Sequence, residues 1–278
     1  PELELRTYFE HAGILLGRPK KGSPCRLGVA LKGGHNNEHH NHNDVGTYVV
    51  VLGERALLLD PGSEVYTART FSSRRYESNL LNSYGHPVPV VAGKLQRTGS
   101  EARAEVLRTE FSEAQDLFAL DLKAAYDVPE LTKLERTFVY SREGQGSLTV
   151  TDRVEYSQPQ TFETALLTLG QWELLEATSL LVYDAQEAVR VDVESPDCGF
   201  KVKAEEIIEE GAHPTRLGIV LDRPVQAATV TMRITPYTDQ MDGGVSGLLR
   251  NGGFERGVWG WALPAGCLGS ISEERAAG

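Results

Sequence analysis

At 278 residues, 40% hydrophobic and 24% charged, the chain holds enough apolar material for a sizeable core and is not of disordered composition. Its formal charge of −11, from 28 Lys and Arg against 39 Asp and Glu, disfavours a general role on nucleic acid or on acidic membrane surfaces. No apolar run reaches the ~18 residues of a membrane-spanning helix, and Cys25, Cys198 and Cys267 show neither metal spacing nor a disulfide framework.

The chain opens at Pro1 with no initiator Met and no basic-then-apolar leader, so it reads as an excised or processed piece that a further N-terminal region would precede. Residues 5–15 carry a weak helical periodicity and are expected as a short helix. Runs rich in Val, Ile, Thr, Leu and aromatics follow at 48–52, 56–60, 102–109, 117–126, 134–140, 147–156 and 161–169, divided by Gly, Pro, Asp and Ser clusters. Each is expected as a strand. Further strands are expected at 188–194, 217–221 and 227–235, and a second weak helix at 205–210. The segments "LTVTDRVEY" and "VRVDVES" alternate at period two, as half-buried strands do. So many strands with so little helix predict an all-β fold, a large antiparallel β-sandwich.

Near residue 243 the texture changes. "DGGVSGLLRNGGFERGVWGWALPAGCLGS" is Gly-rich and reads as a linker entering another module, which divides the chain into 1–242 and 243–278. "NGGFERGVWGW" resembles the opening of jelly-roll carbohydrate-binding modules. A C-terminal tail docking Trp259 and Trp261 onto the sandwich accounts for it equally well.

The stretch "GGHNNEHHNHNDVGTYVVVLGERALLLDPG" sets His35, His39, His40 and His42 within eight residues, just before an apolar, β-branched run. Imidazole with carboxylate is a usual donor set for zinc and related divalent ions. His40 and His42, two apart, project to one side of an extended chain. Gly53-Glu54 suits the turn of a two-residue hairpin, which predicts Asp60 opposite Thr47. That register leaves Asp60 about 16 Å from His42 if the strand stays straight. A shared ion therefore requires "NDVG" (43–46) to bend, and Asn, Asp and Gly are turn residues. The same histidines also fit a solvated loop, or a cupin-like metalloenzyme whose next carboxylate follows His42 closely, where only Asp44 lies.

Between Val65 and Arg97 stand Arg69, Arg74, Arg75, Lys94 and Arg97 against Glu77 alone, a local charge of +4 on an acidic chain. Arg74 and Arg75 are suited to bidentate contact with carboxylates or sulfates, although for any single arginine pairing with the chain's own acids is the first expectation. Tyr76 follows directly. His86 stands after Ser83-Tyr84-Gly85, in a turn before the next apolar run.

In order along the chain, "HNHNDVGTYVVVLGERALLLDPG", "RRYESN" and "NSYGHPVPVVAG" resemble the C-terminal β-sandwich, of supersandwich-like type, of the heparinase II/III-like polysaccharide lyases. That group includes heparin and heparan sulfate lyases and the related alginate and oligoalginate lyases. The shared pattern is His-x-His-x-Asp-x-Gly, a hairpin, Asp-x-Gly, an Arg/Tyr stretch and a His before an apolar strand. The resemblance implies His42, Asp60 and His86 as ligands of a divalent metal, zinc first. It implies His40 at the substrate, neutralising a uronate carboxylate or transferring a proton, and Tyr76 as an orienting or proton-handling phenol. Pro87 departs from the Asn that family members often carry after the third histidine, and proline has no backbone donor and a fixed φ. His35 and His39 have no counterpart and are read as loop residues.

The reaction so implied is β-elimination. A 4-linked uronate loses its C5 proton and expels the C4 oxygen, while cationic or hydrogen-bonding groups neutralise the carboxylate and a Tyr or His serves as base and acid. In the family the principal Tyr and an Asn sit on a helical toroid domain N-terminal to the sandwich. The chain alone is therefore expected to be weak or inactive, with that helical domain as its partner. An anionic, uronate-containing polysaccharide substrate and a secreted or periplasmic location follow from the same resemblance, and the modest +4 patch leans towards the less charged uronates. A non-catalytic sugar-binding or structural β module is the remaining alternative.

Overall fold

The computed structural model describes residues 4–184 and 187–238, and the elements below belong to the unit Pro1–Tyr237. Segment 243–278, with the expected second module, Trp259, Trp261 and Cys267, lies outside the described residues.

The chain first lays down β1 (Arg6–Phe9), β2 (Ile14–Gly17), β3 (Leu27–Lys32), the short β4 (His35–Asn36), β5 (Tyr48–Leu52) and β6 (Arg55–Leu58). A long loop leads to β7 (Val90–Val91), β8 (Gly99–Arg103), β9 (Glu105–Phe111), β10 (Gln115–Asp121), β11 (Leu131–Ser141), β12 (Ser147–Gln160) and β13 (Phe162–Thr168). The last six are β14 (Gln171–Glu176), β15 (Ser179–Asp184), β16 (Glu187–Glu194), β17 (Phe200–Glu206), β18 (Thr215–Leu221) and β19 (Val225–Pro236). Among the described residues there is no α-helix. A five-stranded sheet runs β1-β2-β3-β5-β6, an eight-stranded sheet runs β14-β15-β16-β19-β12-β11-β10-β9, and a four-stranded sheet runs β17-β18-β13-β7. β4 pairs with β8, and all the pairings are antiparallel.

Period-two burial builds the sandwich. β11 turns Leu134, Phe138 and Tyr140 inward, and β12 turns Leu148, Val150 and Val154 inward. From the five-stranded sheet, Leu27, Val29 and Leu31 of β3 and Tyr48, Val50 and Leu52 of β5 join the same core, as do Phe162, Leu166, Leu217 and Ile219 of the four-stranded sheet. The Tyr48 and Phe138 rings meet edge to face across the layers, centroids 5.9 Å apart. Each fully buried side chain of this size contributes about 2 kcal/mol by leaving water.

Neither expected helix forms. Residues 5–15 form β1, a single 3-10 turn at Glu10–Ala12 and β2, because Gly13 at φ 61° takes a left-handed conformation and folds the chain back so that Tyr8 faces Leu15. Residues 205–210 continue β17 to Glu206, after which the Ile207 N–H bonds the Pro214 carbonyl. The run 102–109 is two strands with different partners, β8 on β4 and β9 on β10, and 117–126 ends as a strand at Asp121 before a 3-10 turn at Lys123–Ala125.

Candidate metal centre

Asp60 reaches the site because the β5–β6 hairpin is irregular. Gly53-Glu54 makes the expected turn, with Leu52 facing Arg55 and Val51 facing Ala56, but the ladder then slips so that Val50 faces Leu58. A bulge of this kind bends the strand. β6 ends there, and the Leu59 N–H goes to the Leu167 carbonyl near the end of β13 (3.0 Å). Asp60 therefore does not stand opposite Thr47; it is carried towards the four-stranded sheet.

The segment bearing His42 bends as a shared site requires. The Thr47 N–H donates to the Asp44 carbonyl at 2.9 Å. Gly46 sits at φ 89°, and a Cβ there would lie 2.8 Å from Leu122 Cδ1. Buried amides hold the bend. The Asp44 N–H donates to Asn36 Oδ1 (3.2 Å), and Gln96 Oε1 accepts from Asn36 Nδ2 (3.0 Å) and the Val45 N–H (3.1 Å). Gln96 Nε2 returns a bond to the Val45 carbonyl at 2.7 Å. Each of these groups would otherwise be a costly unsatisfied polar atom.

His86 is fixed from both sheets. At Gly85 a Cβ would lie 1.9 Å from the Asn79 carbonyl oxygen, so only glycine fits before the histidine. Arg216 on β18 donates to the carbonyls of Tyr84 (2.8 Å) and His86 (2.9 Å) and pairs with Glu163. Arg136 on β11 donates to the carbonyls of Gly46 (2.8 Å) and Pro87 (2.7 Å), so one buried guanidinium joins the segments that carry His42 and His86. Pro87 lacks an N–H, but its carbonyl is what Arg136 uses. The sequence reading missed both arginines and Gln96.

His42, Asp60 and His86 each offer one ligand atom, all within 4.8 Å of one another. His86 Nδ1 lies 2.8 Å from Asp60 Oδ2, the two imidazole centroids are 5.3 Å apart, and His42 Nε2 lies 3.2 Å from Ser63 Oγ. His86 Nε2 is buried with no hydrogen-bond partner among the described residues. Such an orphaned group costs about 1–3 kcal/mol unless something satisfies it. Zinc bound tetrahedrally at ~2.0–2.1 Å separates its donors by roughly 3.3 Å, so the two imidazoles and the carboxylate fit a divalent cation after a shift of about an ångström.

The charges suit the same fit. Burial lowers the His42 pKa to about 4, His86 adding to the effect and Asp60 opposing it. Burial would raise the Asp60 carboxyl, but the charge and hydrogen bond of His86 and the Gly62 N–H outweigh it and hold the pKa at about 2. Burial would lower His86, yet the Asp60 charge and hydrogen bond prevail and raise it. At neutral pH His42 is thus neutral and Asp60 ionised, both in ligating form, while the Asp60 charge favours on His86 the proton that an ion would have to displace.

The other sequence-derived candidates lie around this triad with different partners. His40 is exposed at φ 58°, a left-handed backbone that costs a residue with a Cβ about 1 kcal/mol. Its ring lies parallel to Tyr66, 2° between planes and 6.1 Å between centroids. The phenol oxygen of Tyr76 accepts from Asn41 Nδ2 at 3.1 Å. Arg75 grips backbone, its Nε and Nη2 on the Asn41 carbonyl (3.1 and 2.9 Å) and its Nη1 on that of Thr70 (3.0 Å). Arg74 is held by Glu77, with Nε at 2.8 Å and Nη2 at 2.7 Å. Arg69 pairs with Glu64 and Glu209, and Arg97 donates to the Ala124 and Glu101 carbonyls. The +4 patch is therefore largely satisfied from within the chain. His35 pairs with Glu38, and His39 is exposed.

Three open antiparallel sheets around one core, with two imidazoles and a carboxylate brought together from separate segments, define a β-sandwich domain with a candidate metal centre. Residues 9–231 match the family described as heparinase II/III-like, C-terminal, and the chain belongs to it. Among solved structures it is similar to a mutant of the heparan sulfate lyase HepC from Pedobacter heparinus, at TM-score 0.68 and 15% identity over 86% of this chain and 37% of that one. It is likewise similar to the heparinase III-BT4657 gene product (TM-score 0.66, 15% identity, 84% of this chain and 36% of that one). A third likeness is to heparinase III (TM-score 0.61, 15% identity, 87% and 37%). At this identity the likeness shows the fold, and the chain spans little more than a third of the length of those proteins. No curated protein matches it. The cupin-like alternative, which needs a single closed barrel, is set aside by the sheet order and the family.

Proposed function

We propose that this chain is the sandwich domain of a polysaccharide lyase that cleaves an anionic, uronate-containing polysaccharide by β-elimination, with His42, Asp60 and His86 holding a divalent cation, zinc by its donor set. The observation that carries the reading is the approach of three donors from distant segments to within 4.8 Å, with His86 Nε2 buried and without a partner among the described residues. When bound, the ion supplies fixed positive charge beside the sugar-binding surface.

The chain's own residues supply the rest of this half of the site. His40, exposed and held against Tyr66, donates to the uronate carboxylate. Tyr76 exchanges a proton with the sugar. Its oxygen already accepts from Asn41, which sets the phenol's direction. Arg75 keeps the His40–His42 segment and the 70–76 loop together through the Asn41 and Thr70 carbonyls. Arg74 contacts substrate only by exchanging its partner Glu77 for a sugar carboxylate. The remaining acid–base groups come from a helical domain N-terminal to the sandwich, so the chain alone is weak or inactive. A polymeric substrate that cannot cross a membrane puts the enzyme in a secreted or periplasmic location.

Two measurements test this. Metal analysis of the purified chain should give one equivalent of zinc, falling below about a tenth in His42→Ala or His86→Ala. Ultraviolet absorbance should report unsaturated uronate released by a protein extended to include the helical domain. A chain that takes up no divalent metal, or an extended enzyme indifferent to both chelator and Asp60→Asn, overturns the reading.

A further inference from the structure

Beside the triad lies a group of aromatic rings to which no step above assigns a ligand. Tyr66 is 48% exposed and Phe71 70% exposed. Tyr66 lies parallel to His40 on one contact and meets Phe71 edge to face on another, centroids 5.4 Å apart at 82°. Large rings clustered on a surface mark a binding site more often than scattered single ones do.

The loop that carries them is tied down. Buried Glu64 accepts from Thr70 Oγ1 and from Arg69, both at 2.5 Å, and the Val65 N–H donates to the Glu210 carbonyl at 2.7 Å. The Thr67 N–H donates to Thr70 Oγ1 at 2.9 Å, and Arg75 holds the Thr70 carbonyl. The rings are thus exposed on a fixed loop. The same loop begins beside the triad, where Ser63 Oγ meets His42 Nε2 at 3.2 Å, so the aromatic step is continuous with the proposed centre.

Its electrostatics narrow the occupant. The cations nearest in sequence, Arg69, Arg74 and Arg75, are held by Glu64 and Glu209, by Glu77, and by backbone carbonyls. A sulfate would find no unpaired partner among these three arginines. The C–H face of a pyranose ring, apolar and flat, matches exposed aromatic faces, which is how such side chains join large contact area to low ordering cost.

We infer that Tyr66 and Phe71, backed by His40, form a saccharide subsite that stacks one unsulfated pyranose residue of the polymer next to the uronate at the triad. The inference rests on the lyase reading for the polymer's identity alone.

The probe is an unsulfated tetrasaccharide of alternating glucuronate and N-acetylglucosamine, titrated calorimetrically into the 278-residue chain, with saturation-transfer NMR on the sugar protons. Phe71→Ala and Tyr66→Ala should each weaken binding about tenfold, Phe71→Trp should retain it, and zinc content should stay unchanged in all three. The loss on Phe71→Ala should be the same, within about twofold, at low and high salt, since the contact it removes is not ionic. Binding within twofold of the parent in both alanine variants, or no binding by the parent chain, overturns the subsite. So does sedimentation showing that Phe71→Asp dissolves a self-associated form while sugar affinity is untouched. A chain that binds no metal yet loses the sugar on Phe71→Ala keeps the subsite and removes only the lyase reading; the reverse pattern removes only the subsite.

Discussion

Arg136 and Asp152 face each other across β11 and β12 through two hydrogen bonds of 2.7 Å, both side chains wholly buried. The same guanidinium reaches the Gly46 and Pro87 carbonyls and Thr164 Oγ1 at 2.9 Å. Breaking a buried pair from one side leaves an uncompensated charge, whereas replacing both members by apolar groups is often tolerated. Arg136→Ala should therefore lower unfolding free energy by about 3–5 kcal/mol. The pair Arg136→Met with Asp152→Leu should recover most of that loss in urea titrations. Zinc affinity should not recover with it, because the tie between the loops bearing His42 and His86 stays cut. Equal recovery of both would mean that Arg136 serves the core alone.

Gly85 gives a sharper local test. Any Cβ there meets the Asn79 carbonyl oxygen at 1.9 Å, whereas one at Gly62 meets nothing within 4 Å. Gly85→Ala must shift the backbone ahead of His86, at a cost of about 3 kcal/mol. Gly62→Ala pays only for its left-handed backbone, φ 77°, roughly 1 kcal/mol. Thermal melts should rank the two variants in that order. Zinc binding should weaken in the first by more than its stability loss explains if His86 is a ligand.

The strand pattern was legible along several runs with one buried face, although β3, buried at every second residue, was missed. Residues 48–52 are β5 as expected, and the runs around 134–140 and 147–156 are the inner strands β11 and β12. Neither β14 nor β15 was expected from the sequence. β14 lies at a sheet edge and stays largely exposed, and β15 is buried at five successive positions. The triad came from a linear motif, but its geometry depends on a bulge between Val50 and Val51 that carries no local signal. Arg136 did leave a trace: in "LERTFVY" it occupies the inward register of Leu134 and Phe138, and Asp152 does the same in "LTVTDRVEY". A charge at two such positions on neighbouring strands asks for a partner. Summing charge along the chain leaves out Glu209, which the fold brings to Arg69 from 140 residues away.

On the proposed lyase reading, Tyr76 and Arg74 should separate cleanly in a protein extended by the proposed helical domain. Tyr76→Phe removes the phenol that Asn41 orients, and kcat should fall about a hundredfold with KM little changed. Asn41→Ala should fall between that variant and the parent, since it loosens the phenol without deleting it. Arg74 is exposed and already paired with Glu77, an arrangement worth little to the fold. Arg74→Ala should leave melting unchanged and alter KM by less than about threefold, measured by initial rates of unsaturated product. A large kcat effect at Arg74 would instead place its guanidinium on the reacting sugar.

The triad also predicts a pH profile for the metal-free chain. Asp60, held at about 2 against an ordinary 3.8, stabilises the fold above pH 4 and stops doing so as pH falls towards 2. His42, lowered to about 4 from 6.5, resists protonation, so stability falls as acid forces a proton on it between pH 6.5 and 4. His86 acts in the opposite sense. Its pKa is raised by Asp60, so its contribution is complete below 6.5 and is lost as pH climbs through the raised value. The three contributions together peak near pH 6.5. Scanning calorimetry of chelated protein from pH 4 to 9 should show melting temperature falling on both sides. Asp60→Asn removes the charge that raises His86 and should flatten the alkaline limb, while His42→Gln should soften the acid limb. Saturating zinc should abolish the alkaline decline, because the ion replaces the His86 proton and favours the deprotonated ring. An alkaline limb unchanged by both zinc and Asp60→Asn would show that the pair does not govern it.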